Sequence, residues 1–194
     1  MLEEDDGCAV SGGAAQYWRV VTDAGHGNRL RWTHTTDSAN TENYGLWNLD
    51  FEDGSLYLLE VHTDGGTYAE SQQAAYVIHH AAGNETTVVI DQSAVDGFQP
   101  LGELEFDAGA GQWIHFNDNT GEPLSTETRL AFDALRITPV SEDPEDPQDP
   151  EDPGSPVDSP TAFGGCHAGG GLPDASLALL LLAGIGLSVR RRRR

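Results

Sequence analysis

Apolar and polar residues alternate with a period of two along much of residues 17–140. In one such segment Tyr57, Leu59 and Val61 occupy every second position, which is typical of a half-buried β-strand. Aromatic and β-branched residues fill these segments, and helical spacing is not sustained anywhere in the region. The pattern predicts strands at residues 18–22, 30–35, 43–49, 57–62, 76–80, 86–91, 98–106, 113–118 and 131–138.

Short breaks rich in Gly, Asn and Asp separate the predicted strands. The clearest are Asp53-Gly54, Asp64-Gly65-Gly66, Gly83-Asn84 and Asp96-Gly97. Many short strands at this spacing favour an all-β fold, and we predict an antiparallel β-sandwich of two sheets with a jelly-roll-like arrangement.

Composition divides the chain into four zones. Residues 1–16 are acidic and then rich in small residues, which predicts a disordered segment. Residues 17–140 contain all four tryptophans and all five tyrosines, and form the predicted domain. Residues 141–165 are an acidic linker, rich in Pro and then in Gly, which we expect to be disordered and extended because proline recurs every third residue. Residues 166–194 form the C-terminal zone.

The chain is strongly acidic, with a formal net charge of −22 over 194 residues. All ten basic residues are arginines, and residues 17–140 hold five of them against nineteen acids. This field repels phosphate backbones, so it argues against nucleic acid as a partner. It suits a soluble extracellular protein, with a cation or a neutral polymer as ligand, although acidity can also serve solubility alone.

The two cysteines, Cys8 and Cys166, flank the predicted domain. A bridge between them would have to span the domain and the linker, so we expect no intramolecular disulfide.

The C-terminal zone contains fifteen uncharged residues, 175–189, followed by five arginines. As a helix the apolar segment would be about 22 Å long. The hydrocarbon core of a bilayer is about 30 Å thick, so the predicted hydrophobic helix is short for a permanent span. The arginines would hold its end in the cytoplasm and leave the preceding residues outside.

This tail resembles the MYXO-CTERM sorting signal of myxobacterial exported proteins. Its parts occur in order: Gly165 and Cys166, a spacer at 167–174, the apolar segment, and Arg190, Arg191, Arg192, Arg193 and Arg194. The resemblance implies cleavage near Cys166 by a membrane protease, delivery to the cell surface and a lipid on Cys166; an uncleaved tail anchor is the alternative. Residues 1–16 lack the features of an export signal, so we expect the natural start to lie upstream.

Within the predicted domain, residues 76–138 resemble the golvesin C-terminal-like domain, also described as xanthan-lyase carbohydrate-binding-domain-like. The matching segments are YVIHHAAG at 76–83, TTVVIDQ at 86–92, FQPLGELEF at 98–106 and FDALRI at 132–137, with a further likeness at 44–61. Phe98 replaces the family's tryptophan and Phe132 its alanine. The resemblance implies a β-sandwich that is a non-catalytic accessory module with glycan binding.

Catalytic motifs are missing from the sequence, which contains no nucleophile motif, phosphate loop or zinc-ligand spacing. His79 and His80 are adjacent on a predicted strand, so their side chains leave by opposite faces and cannot share an ion. With nineteen acids in residues 17–140, no pair of carboxylates stands out for glycoside hydrolysis. We therefore predict that the chain is not an enzyme.

Sugar binding would use exposed aromatic rings with polar neighbours. Trp32 is the best candidate because it lies between polar residues, while Trp47 and Trp113 are expected in the core. Packing is the alternative for Trp32 as well.

No cofactor is predicted, apart from the possibility of a structural Ca²⁺ held by carboxylates and carbonyls. Asp133 is the most conspicuous acid because apolar residues surround it, and we expect it to accept backbone N–H groups at a strand edge rather than to bind an ion. The acids Asp50, Glu52 and Asp53 are expected to be solvated turn residues.

The combined prediction is an exported, non-catalytic β-sandwich that binds cell-wall or extracellular polysaccharide or another component of the cell envelope. Its expected location is the cell surface, outer membrane or extracellular space, with the tail passing transiently through the inner membrane before processing. Two alternatives stay open, a structural or adhesion domain that contacts proteins and the accessory end of a larger secreted hydrolase.

Overall fold

The computed structural model describes residues 1–140, which form eleven strands and four short 3-10 helices. The strands are β1 (Ala9–Gly13), β2 (Arg19–Val21), β3 (Leu30–His34), β4 (Asn43–Phe51), β5 (Ser55–Asp64), β6 (Ala74–His80), β7 (Asn84–Ile90), β8 (Asp96–Phe106), β9 (Gly109–Asn117), β10 (Arg129–Phe132) and β11 (Leu135–Pro139). The 3-10 helices are Ala15–Tyr17, His26–Asn28, Ala81–Gly83 and Leu124–Thr126. Within these residues, none of the helices has the length and apolar character needed to cross a bilayer.

The strands form one sheet of five and two sheets of three, and every pairing between them is antiparallel. The larger sheet has the order β1-β4-β9-β6-β7, and the smaller ones are β10-β3-β2 and β11-β5-β8. Only Asp133 and Ala134 separate β10 from β11, so one chain segment leads from the first small sheet into the second. The small sheets together cover the inner face of the five-stranded sheet, which confirms the predicted all-β sandwich.

The core follows from the alternation in the sequence. In β5 the residues Tyr57, Leu59 and Val61 are buried while their neighbours are half-buried. Inward side chains from both layers then close one continuous apolar cluster. The period of two in the sequence therefore corresponds to the face of each strand that is buried in the core.

An aromatic cluster joins the two layers near the middle of the core. The ring of Phe132 in β10 lies 4.5 Å from Trp47 in β4 and 5.5 Å from Phe116 in β9, measured between ring centroids. These rings pack directly over Gly45, where a methyl group would overlap Phe116 and Phe132. The absence of a side chain at Gly45 is therefore what lets the rings meet.

A buried amide ties the end of β7 to β10. Gln92 is fully buried; its Nε2 donates to the hydroxyl of Tyr76 at 2.8 Å and to the carbonyl of Ala131 at 3.0 Å. Its Oε1 accepts the N–H of Ala131 at 2.9 Å. The Gln92 side chain thus makes two hydrogen bonds with the backbone of Ala131 in β10, like those that a neighbouring strand would make.

The expectation of a disordered segment at residues 1–16 is wrong. β1 pairs with β4, and the backbone of Leu2 exchanges hydrogen bonds of 2.9 and 2.8 Å with Leu135. The acids that suggested disorder have partners, since Glu4 receives a 2.7 Å hydrogen bond from Arg29. Composition alone did not reveal these long-range contacts.

The expectation for the cysteines is wrong as well, because Cys8 is buried and disulfide-bonded. The one other cysteine of the chain, Cys166, lies outside the described residues. A long intervening segment does not forbid such a bond, because the entropy of loop closure grows only slowly with length.

All nine predicted strands are present within a few residues of their expected bounds. The exceptions concern detail: β1 was not predicted, and the segment 131–138 is two strands, β10 and β11, divided at Asp133 and Ala134.

Replacing Leu2 with alanine tests whether the N-terminal segment belongs to the fold. Leu2 is buried in the core cluster, so we expect the free energy of unfolding of the full chain to fall by about 2 kcal/mol. Urea denaturation followed by tryptophan fluorescence measures this change. Val89→Ala, at an exposed strand position, is the control and should shift stability by less than about 0.5 kcal/mol. Equal stability of the Leu2 variant and the control would contradict the structure.

Candidate functional site

A cleft of about 270 Å³ opens at one end of the sandwich. Its walls come from the loops and strand ends around β2, β3, β4 and β9, together with the loop before β10. The lining residues are Tyr17, Arg19, Thr33, His34, Thr36, Glu42, Asn43, Asp118 and Leu124. We refer to this site as the cleft.

A carboxylate organises the floor of the cleft. Asp118 accepts hydrogen bonds from the backbone N–H groups of Glu42 at 3.1 Å and Asn43 at 2.8 Å, and from the Asn43 side-chain amide at 3.3 Å. Burial raises the pKa of Asp118, and these hydrogen bonds oppose the shift. Asp118 thus holds the start of β4 and fixes the side chain of Asn43.

Two polar atoms of the cleft residues have no hydrogen-bond partner among the described residues. They are Oδ1 of Asn43, a residue only 2 % exposed, and Nδ1 of His34. A buried polar group without a partner costs about 1–3 kcal/mol. The Asn43 Oδ1 atom lies beside Gly13 of β1, 2.8 Å from the place where a Cβ atom of that residue would stand.

The rim of the cleft is apolar on two sides. Tyr17 is 45 % exposed and Leu124 is 57 % exposed, although both are large apolar side chains. Arg19 stands beside Tyr17, where its guanidinium donates to the backbone carbonyls of Gln16 and Trp18. A rim with a ring, an aliphatic side chain and a fixed guanidinium can bind an amphipathic ligand.

The sequence candidate Trp32 lies in β3, paired with the cleft residue Arg19 of β2. Its ring meets that of His34 edge-on at 5.0 Å, and the guanidinium of Arg129 lies 5.6 Å from its centroid. Trp32 is half-buried and is not among the residues that line the cleft. Trp32 therefore contacts the cleft residue His34, and a ligand contact by Trp32 itself stays a prediction.

The other candidate rings divide between core and surface. Trp47 is buried, as predicted, whereas Trp113 is half-buried on the outer face of the five-stranded sheet, so its assignment to the core is wrong. The physical reason is phase: Ile114 and Phe116 point inward, and the residue between two inward positions of a strand points outward. Phe98 has Arg136 over its face at 4.0 Å.

A second polar cluster surrounds Asp133, between β10 and β11. Asp133 is buried and accepts the backbone N–H of His26 at 3.1 Å, which confirms the prediction of a backbone acceptor. It also accepts a 2.7 Å hydrogen bond from Nδ1 of His62. Burial raises the pKa of Asp133, and the hydrogen bond from the protonated ring to this carboxylate raises the pKa of His62.

Three carboxylates of this cluster converge. Glu3, Glu4 and Asp133 each place one oxygen within 4.8 Å of the others. The Glu4 side chain is 1 % exposed, and its Oε2 has no hydrogen-bond partner among residues 1–140. Desolvation raises the pKa of Glu4, although Arg29 opposes the shift.

The donor set of this cluster fits Ca²⁺ in kind, because Ca²⁺ prefers carboxylate oxygens. It does not complete the six to eight ligands that Ca²⁺ takes, so carbonyls or water would have to supply the remainder. His26, which meets Glu3 at 2.7 Å, and Arg29 compete for the same acids. Of the acids considered from sequence, only Asp133 belongs to the cluster; Glu52 and Asp53 are exposed.

Sequence reasoning missed the cleft and two of the three acids of the acidic cluster. Tyr17, Asn43 and Asp118 belong to no motif. The only signal in the sequence is at Tyr17, where a large ring follows a segment of small residues. Glu3 and Glu4 were hidden in a segment expected to be disordered. The predicted sorting residues, Gly165, Cys166 and Arg190 to Arg194, lie outside the described residues.

Comparison with known proteins identifies the fold but no family. No protein-family model matches the chain, and no curated protein matches it. The fold is similar to part of a Paenibacillus xanthan lyase, with a TM-score of 0.58 and 16 % identity over 72 % of this chain and 13 % of the lyase. This likeness shows a shared sandwich fold, and the matched part is a small fraction of the lyase.

Two further solved structures show weaker likeness. A family 35 carbohydrate binding module from Clostridium thermocellum has a TM-score of 0.49 and 16 % identity, over 71 % of this chain and 96 % of the module. A GH26-CBM35 β-(1,4)-mannanase from Podospora anserina has a TM-score of 0.43 and 15 % identity, over 72 % of this chain and 29 % of the mannanase.

Calcium is expected to stabilise the fold through Glu3, Glu4 and Asp133. At a concentration one hundred times its dissociation constant, a ligand that binds only the folded state adds about 2.7 kcal/mol. Thermal unfolding of the full chain in Ca²⁺ and in EDTA measures the increment, and Glu4→Gln should remove it. Glu85→Gln, at an exposed acid of β7, should keep it. An unfolding midpoint independent of Ca²⁺ would leave the cluster as a hydrogen-bonded network of acids, histidines and Arg29.

Proposed function

We propose that residues 1–140 form a non-catalytic module that binds polysaccharide through the cleft. The observation that carries the proposal is the combination of an exposed apolar rim, Tyr17 and Leu124, with the polar side chains of Arg19, Glu42 and Asp118 that line the same cleft. A sugar is the kind of ligand that offers apolar C–H surface and hydroxyl groups together. Such a ligand would cover the rim and meet these polar groups at the same time.

The electrostatics of the cleft favour an uncharged sugar. Glu42, Asp118 and Arg19 all line the cleft, so hydroxyl groups would meet acceptors and a donor. The net charge of −22 disfavours polyanions at long range. Neutral cell-wall or extracellular polysaccharide is therefore the ligand class that we propose.

Two independent likenesses support this reading. The segments YVIHHAAG, TTVVIDQ, FQPLGELEF and FDALRI resemble a carbohydrate-binding-domain-like family. The whole sandwich is similar in fold to a part of a xanthan lyase. Neither observation names the ligand, so the proposal rests on the chemistry of the cleft.

We also propose that the protein is exported and displayed at the cell surface by its C-terminal tail. The support is the order of parts in the sequence: Cys166, an uncharged segment at 175–189, and five arginines. A linker with proline at every third position would hold the module away from its anchor. The chain has two cysteines. A lipid on the Cys166 thiol would therefore leave no second thiol in the same chain for the disulfide at Cys8.

Removing the apolar rim should abolish most polysaccharide binding. The test is retention of the full chain, in a sugar-free detergent, on cellulose, chitin, xylan, mannan and peptidoglycan. The double replacement of Tyr17 and Leu124 by alanine should weaken binding about tenfold or more, since each large side chain contributes about 1 kcal/mol of contact.

The matched control for the rim is Val20→Ala, because Val20 is exposed on β2 and lies outside the cleft lining. This variant should bind like the wild type. Failure of the folded wild-type chain to bind any of the five polymers would refute the proposed function.

Processing of the tail predicts a defined C-terminus in the natural host. Mass spectrometry of the surface-exposed protein should recover no peptide containing residues 175–194 and should show Cys166 as the modified or terminal residue. Peptides that run through Arg194 would contradict the sorting proposal. Replacing Arg190 to Arg194 with glutamine should prevent processing, because the tail would lose its cytoplasmic stop.

A further inference from the structure

Four aromatic side chains form a row across the outer face of the five-stranded sheet. The row consists of Tyr44 in β4, His115 and Trp113 in β9, and His79 in β6. Successive ring centroids are 5.4 Å apart from Tyr44 to His115, 6.2 Å from His115 to Trp113 and 5.2 Å from Trp113 to His79. We refer to these four side chains as the ring row. All four are half-buried, so each still presents part of its surface to solvent.

The register of the sheet fixes the ring row. His79 pairs directly with Trp113 across β6 and β9, and the two rings stack with an angle of 9° between their planes. At the other end the ring of Tyr44 lies over Gly12 of β1, where any side chain would overlap it. Stacking and backbone contact thus hold both ends of the row without a ligand.

Polar groups suited to hydroxyls flank the row. Asn48 lies opposite Trp113, and Asn117 lies opposite Tyr44 in the β4–β9 pairing. Asn48 Nδ2 already donates to the carbonyl of Cys8 at 3.3 Å, and Asn117 Oδ1 accepts the N–H of Asn119 at 3.0 Å, so Asn48 Oδ1 and Asn117 Nδ2 are the amide atoms left for sugar hydroxyls. Rings with amides beside them are a more specific pattern than a merely apolar strip.

Charge restricts what this face can bind. The five strands of the sheet contain no lysine or arginine, and acids such as Asp50 and Glu85 stand at its margins. Burial lowers the pKa of His115, which keeps that ring uncharged at neutral pH. A polyanion would therefore meet repulsion and no counter-charge, whereas a neutral polymer would not.

The Tyr44 end of the row adjoins the cleft. Tyr44 directly follows the cleft residue Asn43, and Asn117 directly precedes the cleft residue Asp118. Tyr44 and Asn117 are themselves a cross-strand pair. Consecutive residues of a strand point to opposite faces, so the ring row on the outer face and the cleft at the end of the sandwich meet only at the edge where β4 begins and β9 ends.

We propose that the ring row is an extended subsite on which the internal residues of a neutral polysaccharide chain lie, while the cleft binds the adjoining sugar. This inference rests on the proposed function, because it assigns a second contact region to the same ligand class. It adds that the ligand is a polymer, since a row of four rings is longer than one monosaccharide. Affinity should therefore rise with the length of the chain.

The test is a titration of the full chain, in a sugar-free detergent, with oligosaccharides from dimer to octamer. The probes are cello-, xylo- and mannooligosaccharides, and isothermal calorimetry reports affinity. For the series that binds, the wild type should bind the octamer at least about tenfold more tightly than the dimer, since ring contacts add about 0.5–1.5 kcal/mol each. Trp113→Ala should lose this gain and keep the affinity for the dimer.

Controls separate the ring from the fold. Trp113→Phe keeps a ring and should keep part of the gain with length. Val89→Ala removes an exposed apolar side chain from the same outer face but outside the row, and should behave like the wild type. Far-ultraviolet circular dichroism and the unfolding midpoint should match the wild type for each variant that is compared.

Each result bears on one proposal. Binding that is independent of length, or that Trp113→Ala and Val89→Ala affect equally, overturns the extended subsite and leaves the cleft proposal standing. A wild type that binds neither dimer nor octamer removes the proposed function and this inference with it. A dimeric full chain in sedimentation analysis that Trp113→Ala converts to monomers would show that the face binds a second copy, which also overturns the inference.

Discussion

The packing of Phe132 against Trp47 and Phe116 is the contact on which the sandwich depends. It brings β10 of one layer onto β4 and β9 of the other, and the missing side chain at Gly45 makes the approach possible. Burying an aromatic ring in this way is among the largest single contributions a core residue makes. The next residue, Asp133, is then drawn below the surface between β10 and β11, where His62 and the His26 backbone satisfy it.

This junction explains why the N-terminal segment is ordered. A buried carboxylate at Asp133 needs partners, and the loop that carries His26 supplies them. The same loop meets Glu3, while Arg29 meets Glu4, so the first residues of the chain are held against the core by charge as well as by Leu2. The acidic cluster is therefore first a feature of stability, and its suitability for Ca²⁺ arises from the same concentration of carboxylates.

The proposed ligand site uses surfaces that the core leaves open. The inward side chains of β4 and β9 pack in the cluster around Phe132. Because side chains alternate between the two faces of a strand, Tyr44, His115 and Trp113 point outward and form the row. Where these strands begin and end, Asn43 and Asp118 turn into the cleft. A site of this kind needs no mobile loop, because strand register alone places its rings.

The sequence by itself determined the class of fold and the position of the strands, apart from β1 and the break between β10 and β11, because burial of one face imposes a period of two that is visible without coordinates. It also marked Trp47 as core and Asp133 as a backbone acceptor. The resemblance to a carbohydrate-binding-domain-like family was consistent with the fold that the structure shows.

Only the tertiary structure decided which distant residues meet. The order of residues 1–16, the disulfide at Cys8, the outward phase of Trp113 and the assembly of the cleft all depend on contacts between segments far apart in the chain. Periodicity reports whether a residue alternates with its neighbours, but not which face the sheet turns inward or which strand lies beside it. Those choices follow from the packing of whole layers, where the ring of Phe132 and the bare backbone of Gly45 have to fit together.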